Sequence, residues 1–314
     1  MPPAPEQRKP AHAGPPDHAP AIALALGGGG ARGLAHVVAL EAFDELGLRP
    51  ARIAGTSIGA LFGAAYASGM SARVIRAHAE EILAQRFDML RQIFAARTTP
   101  ISRLLSVLPL RNALLDANLL LDALLPTGVP RTFEQLQIPL QTVACDFYGQ
   151  FEVVHASGDL RTAVAASMAL PVLFAPVMMA GRAMVDGGFV NPLPFDVFLK
   201  DAGARPTITV AIDVSGAVPS TTVTPADAVM PPVSQPSATE VMATSSQILQ
   251  RSIVREKLKA GRPDILIECP VDAFSVLDFH KFREILAASA PIKDQLKRAL
   301  ESHLQRASGL NVAP

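Results

Sequence analysis

The chain has 314 residues, 49% of them hydrophobic and 18% charged, and its 28 lysines and arginines balance 28 aspartates and glutamates. A chain this long buries roughly 75% of its unfolded surface, so its core needs neither a metal nor a disulfide. Zero net charge removes the basic footprint of a nucleic-acid binder, and Cys145 and Cys269, far apart and without ligand-like spacing, read as core thiols.

Aromatic residues make up 5% of the chain, Trp is absent, and Ala and Leu dominate, a composition suited to helices packed on a sheet, hence an α/β class. Residues 1–20 carry seven prolines and no apolar h-region, which predicts a disordered leader, no secretory signal and a cytoplasmic chain. One domain is expected over 21–306, with 307–314 as a tail.

Ala21 to Leu26 is an apolar run ending in four glycines, followed by helical spacing from Gly33 to Gly47. Arg52 to Gly55 is a second short strand and Ile58 to about Ser68 a second helix, so the βαβα alternation predicts a mainly parallel, covered sheet. From 71 to 125 the pattern is helical, broken at Pro100 and Pro109, and forms either a cap or core. Pro139 to Phe147 and Phe151 to His155 flank a turn and predict a hairpin, and Asp159 is placed to cap the next helix. Strands are expected at Val177 to Ala180, Ala183 to Val185, Thr207 to Val214 and Asp264 to Glu268. Helices are expected at Pro194 to Ala202, Thr239 to Ala260 and Phe279 to Arg306. The Pro, Ser and Thr content of 215–238 marks a mobile insertion.

Two uncharged twenty-residue stretches, 53–72 and 162–181, are long enough to span a bilayer. The first holds Thr56, Ser57, Ser68 and Ser71 and the second is interrupted by Pro171 and Pro176, so both read as buried strand-plus-helix segments.

Gly55-Thr56-Ser57-Ile58-Gly59 is a G-x-S-x-G between a strand and a helix, where a tight turn would present the Ser57 hydroxyl at the helix N-terminus. By itself it could equally be a small-residue turn with a solvated serine. Gly27 to Gly33, also between strand and helix, could converge its N–H groups on an anion. Gly28, Gly30 and Gly33 match a dinucleotide fingerprint, but the next strand ends without the required carboxylate, and Leu34 stands where a P-loop needs lysine. An oxyanion hole serving Ser57 uses both glycine elements together.

Seven histidines could supply a base: His12, His18, His36, His78, His155, His280 and His303. Triad order nominates His280 or His303, yet both sit in charged, helical sequence. Asp186-Gly187-Gly188 instead terminates an apolar strand run, where the glycines free the backbone to aim the carboxylate; the same residues would also suit an ordinary β-turn.

The order G-G-G-x-R-G, G-x-S-x-G, Ala166-Ser167 with Pro171 four residues on, then D-G-G, resembles the patatin-like phospholipase family, particularly its compact bacterial members. The resemblance covers most of Ala21 to about Val214. It implies a three-layer α/β/α patatin-like fold and a Ser–Asp dyad hydrolase: Ser57 as nucleophile, Asp186 as general base, the amides of Gly28, Gly29 and Gly30 as oxyanion hole. It also implies a bracing role for Arg32, places Ser167 and Pro171 near the site, and gives Gly33, Gly55, Gly59, Gly187 and Gly188 supporting positions. No metal or other cofactor is implied.

The substrate expected is a lipid or other acyl ester, cleaved as by a phospholipase A or lysophospholipase. Residues 73–111 hold seven arginines against three acids, which suits either peripheral contact with an anionic membrane or a solvated helix face. A patatin-fold scaffold without catalysis and, more remotely, a dinucleotide oxidoreductase are the alternatives.

Overall fold

The computed structural model describes residues 20–95, 116–171, 173–199, 207–216 and 238–307. The leader, the middle of the expected helical cap, nearly all of the 215–238 insertion and the C-terminal tail therefore lie outside the described residues.

Strand β1 (Ala21–Leu26) is buried along nearly its whole length, as expected of a strand covered on both faces. It pairs in parallel with β2 (Arg52–Thr56) on one side and β7 (Thr207–Asp213) on the other. Further parallel pairings join β2 to β3 (Leu140–Asp146) and β7 to β8 (Ile265–Glu268). The other strands are antiparallel: β4 (Phe151–His155) and β6 (Arg182–Asp186) on β3, and β5 (Val177–Met179) on β6. The sheet is thus mixed and mainly parallel at its centre.

The two-residue period of β1 divides the core. Ile22, Leu24 and Leu26 pack with α1 (Ala35–Glu45), α2 (Ile58–Ala67), part of α3 (Ala72–Ala95), α4 (Ala117–Leu124), α5 (Leu160–Ser167), α8 (Phe282–Ser289) and α9 (Pro291–Ala307). Ala23 and Ala25 face the other way, onto Leu193, Phe195, Phe198 of α6 (Asp196–Leu199) and Val254 of α7 (Ala238–Ala260). Small residues on that face let the second helical layer approach closely, which completes three layers. Cys145 and Cys269 are both buried and free.

The first uncharged stretch is interior and becomes β2 and α2, with every residue of α2 buried. For the second the expectation is corrected: α5 is mostly buried, whereas Pro176, Ala180 and Gly181 are exposed and Met178 of β5 is 64% exposed. Among the described residues no helix is long and apolar enough to cross a membrane.

Three expectations about helices are corrected. The helix expected from Gly33 begins at Ala35, after a 3-10 turn over Gly30–Leu34. That expected over Pro194 to Ala202 is reduced, among described residues, to Asp196–Leu199. The long helix expected from Phe279 to Arg306 is a 3-10 turn (Phe279–Lys281) followed by α8 and α9, divided at Ala290. Pro291 has no N–H to continue α8 and a φ already suited to the first position of a new helix, so the chain restarts there. Apolar spacing runs through both helices and conceals the break.

Candidate active site

Ser57 is the single residue between β2 and α2, with φ 55 and ψ −122. A non-glycine side chain in this region costs about 1–3 kcal/mol, and the surrounding packing holds it there. A Cβ on Gly59 would run into the carbonyl of Leu26, and one on Gly55 would lie 2.5 Å from the Gly59 carbonyl. Only glycine at both positions lets α2 start directly against the strands.

Two contacts fix Ser57. Its hydroxyl donates to Oδ2 of Asp186 at 2.6 Å, and its backbone N–H donates to Oγ of Ser167 at 2.8 Å. Ser167, buried at the end of α5, in turn donates to the carbonyl of Val143 at 2.6 Å. The serine backbone is therefore tied to β3 through one buried hydroxyl.

Asp186 closes β6 and is 4% exposed. Its Oδ1 accepts the Gly188 N–H at 2.7 Å. Burial pushes its carboxyl up to about 6, against the opposing pull of the Ser57 and Gly188 hydrogen bonds. Gly187 admits this turn, since a Cβ there would strike the carbonyl of Val143.

The loop beyond Asp186 clamps the other two elements. Thr56 Oγ1 donates to the Asn191 carbonyl at 2.7 Å, and the Gly28 N–H donates to the Pro192 carbonyl at 2.8 Å. Gly27 N–H is taken by Ile212 and Ala31 N–H by Val276. Among the described residues, the N–H groups of Gly29 and Gly30 are left without a protein acceptor. The three glycines expected to act alike thus differ: Gly28 already donates within the protein, and Gly29 and Gly30 have donors to spare. Gly30 has φ +57, and a Cβ on it would strike the carbonyl of Val276.

Arg32, 3% exposed, holds this loop from behind. Its Nε donates to the Phe274 carbonyl at 2.6 Å and its Nη1 to the Ser215 carbonyl at 2.9 Å. Burial, with Arg251 nearby, lowers its guanidinium to about 10. Gly33 allows the same loop to touch Ile58. His36, fully buried, bonds the Gly27 carbonyl through Nε2 at 2.8 Å, and burial lowers its imidazole to about 4, so it is a neutral structural group.

Gly28, Gly29, Gly30, Ser57 and Asp186 open on one cavity of about 290 Å³. Its walls are mainly apolar, including Met168, Leu170, Phe174, Leu249 and Leu277, with Gln250 of α7 beside Gly188. Among the described residues no histidine lines it. His303 bonds the Ala299 carbonyl and His280 is exposed, while His12 and His18 lie outside the described residues.

The contribution of Ser167 to Ser57 has no local mark in the sequence, since the two are 110 positions apart. The resemblance places Ser167 near the site without saying what it touches. The lining supplied by α7 follows a long polar insertion, and nothing in its spacing points to a cavity.

A strand–turn–helix serine facing a buried carboxylate on a three-layer α/β/α fold defines a hydrolase-like class of site. The family model described as patatin-like phospholipase matches residues 24–199. The chain belongs to the patatin-like phospholipase family, and its fold is the patatin-like one. An uncharacterized NTE family protein of Mycobacterium tuberculosis is 36% identical over 197 residues, covering 63% of this chain and 50% of that protein. Patatin-like phospholipase domain-containing protein 7 of Rattus norvegicus is 32% identical over 279 residues, 84% of this chain and 20% of the relative. The chain therefore spans half or less of the length of these relatives. Among solved structures, the ExoU–SpcU complex from Pseudomonas aeruginosa aligns with a TM-score of 0.43 and 17% identity, over 92% of this chain and 52% of that one.

Proposed function

We propose that the protein is a lipid acyl hydrolase, of phospholipase A or lysophospholipase type, in which Ser57 is the nucleophile and Asp186 the general base. The observation that carries this reading is the 2.6 Å bond from Ser57 Oγ to a buried carboxylate inside an apolar cavity. A carboxyl raised to about 6 is ionised at neutral pH yet basic enough to take a proton, the compromise that general-base catalysis favours.

Ser57 Oγ attacks the ester carbonyl while its proton passes to Asp186 Oδ2. The resulting oxyanion is met by the N–H groups of Gly29 and Gly30, helped by the N-terminus of α2, whose first amides have no intrahelical acceptors. Collapse breaks the carbon–oxygen bond of the leaving alcohol, which takes the proton from Asp186 and leaves an acyl-serine. Water then repeats the sequence: Asp186 accepts its proton, its oxygen bonds the acyl carbon, and Ser57 departs and is reprotonated. The fatty acyl group occupies the apolar walls.

The membrane side of this reading rests on the basic stretch at 73–111. Of its described part, Arg73 is exposed, while Arg76 is engaged with Glu41 at 2.6 Å. Sedimentation with anionic vesicles at low salt tests it; protein remaining entirely in the supernatant removes membrane contact from the proposal.

Fluorophosphonate labelling of the wild-type chain beside Ser57→Ala, with the modified peptide located by mass spectrometry, tests the dyad. Label confined to Ser57, together with release of fatty acid from a phospholipid or lysophospholipid, is the expected result. A folded wild-type protein that takes no probe and cleaves no ester would overturn it.

A further inference from the structure

A second cavity, of about 70 Å³, lies between α2 and α3. It runs along the face of α2 from Ile58 to Ala65, seven residues and so about 10 Å from the turn that carries Ser57. Ile75, Ala79 and Leu83 of α3 form its opposite side. The lining is apolar except for His78, whose Nε2 is already bonded to the Leu124 carbonyl at 3.0 Å.

Ile58, Leu124 and Phe279 line both this cavity and the one containing Ser57. These three residues are therefore the shared wall, or partition, at which the two spaces adjoin. Ile58 is also the residue that follows the nucleophile. An apolar lining of this sort favours hydrocarbon over water; since a cavity of about 150 Å³ holds benzene, this one has room for about three further carbons.

Resting on the hydrolase reading above, we propose that the second cavity takes the methyl end of the substrate's acyl chain, with Phe279, Leu124 and Ile58 as the side-chain gate through which it passes. The Ser57 cavity then holds the ester and the proximal methylenes, and the second cavity measures the length of what remains. Each methylene buried there contributes about a fourfold gain in kcat/KM, so three contribute about 60-fold.

Two substitutions act on this in opposite directions. Ala79→Leu fills the second cavity from the half-buried side of α3, and Phe279→Ala removes most of the partition. The experiment measures kcat/KM for a series of p-nitrophenyl esters from butyrate to laurate on the wild-type chain, both variants and Ser57→Ala. Ala79→Leu is expected to lower the laurate-to-butyrate ratio by up to about 60-fold, and Phe279→Ala to move the preferred chain towards laurate. If Ala79→Leu does not fold, the direction of the Phe279→Ala shift decides alone. Ser57-dependent cleavage whose chain-length profile is the same in the wild type and the folded variants overturns the second cavity and leaves the hydrolase reading standing. Absence of any Ser57-dependent cleavage overturns the hydrolase reading and this inference with it.

Discussion

Ser57 and Asp186 reach one another along a single edge of β3. Thr56, the last residue of β2, pairs with Val143, and Asp186, the last residue of β6, pairs with Ala144. The other edge of β3 is occupied throughout Thr142 to Asp146 by β4, so β6 takes up the edge that β2 vacates. One parallel and one antiparallel strand therefore end head to head, one register position apart. Their termini bring a hydroxyl and a carboxylate to 2.6 Å without either side chain having to reach. A slip of one residue in either pairing would turn the terminal side chain to the opposite face.

If Asp186 is the base, kcat/KM for ester cleavage should rise with pH on an acid limb centred near 6 and fall about tenfold per unit below it. The free enzyme must hold the carboxylate form, and burial is what raises its pKa from the ordinary value of 3.8. Initial rates on a soluble short-chain ester across that range check this. A flat profile down to about pH 5 would remove Asp186 from proton transfer.

The same burial predicts that activity and stability are opposed at this position. The folded state holds the Asp186 proton more tightly than the unfolded chain, so the unfavourable contribution is absent below the unfolded value of 3.8, develops as pH rises towards about 6, and is complete above it. Asp186→Asn should thus abolish turnover yet raise unfolding free energy at neutral pH, by up to about 3 kcal/mol, with the gain vanishing near pH 4. Urea unfolding of both proteins at the two pH values measures it. An Asn variant less stable than wild type at neutral pH and equal at acid pH would reverse the assigned sign.

Much of this framework can be read where the physics is local. The apolar run before the four glycines, the G-x-S-x-G turn and the hairpin around Tyr148 each depend on neighbours in sequence, and Asp159 caps its helix by accepting the Thr162 N–H at 2.7 Å. The differences among Gly28, Gly29 and Gly30 are not local. They depend on a carbonyl from 192 arriving at the Gly28 amide while the one from 276 is taken by Ala31, and glycine offers no side chain to record it. The break before Pro291 is marked by the proline, but the apolar spacing continues across it. The partition at Phe279 needs three distant elements, α2, α4 and the turn before α8, to be assembled before it exists.

Arg32→Lys should destabilise the fold and slow turnover together. The guanidinium spans two carbonyls on different segments, Phe274 and Ser215, and Arg251 shares the latter at 3.0 Å. A lysine ammonium cannot present the same fork, so one buried carbonyl loses its donor, a change of about 1–3 kcal/mol. The glycine loop is tied to the same region through Ala31 and Val276, so its amides should lose their fixed aim. Thermal unfolding and kcat on one ester test this pair of effects. Lowered stability with unchanged kcat would confine Arg32 to the scaffold.

Ser167→Ala isolates positioning from chemistry. Ser167 does not touch Asp186 Oδ2 or the Ser57 hydroxyl in the bonding pattern; it accepts the Ser57 backbone N–H and donates to Val143. Alanine leaves an amide and a carbonyl without their partner, at about 1–3 kcal/mol of stability. The strained φ of 55 at Ser57 then has one restraint fewer, and the hydroxyl can drift from the attack geometry. Misplacement by about 1 Å reduces rates by up to about 10²-fold, so kcat should fall substantially while KM for a short ester changes little. The rate of fluorophosphonate labelling at Ser57 should fall by a similar factor, because that reaction needs the same nucleophile geometry and no deacylation. A stable Ser167→Ala protein with wild-type kcat and labelling rate would show that the β2–α2 turn holds Ser57 unaided.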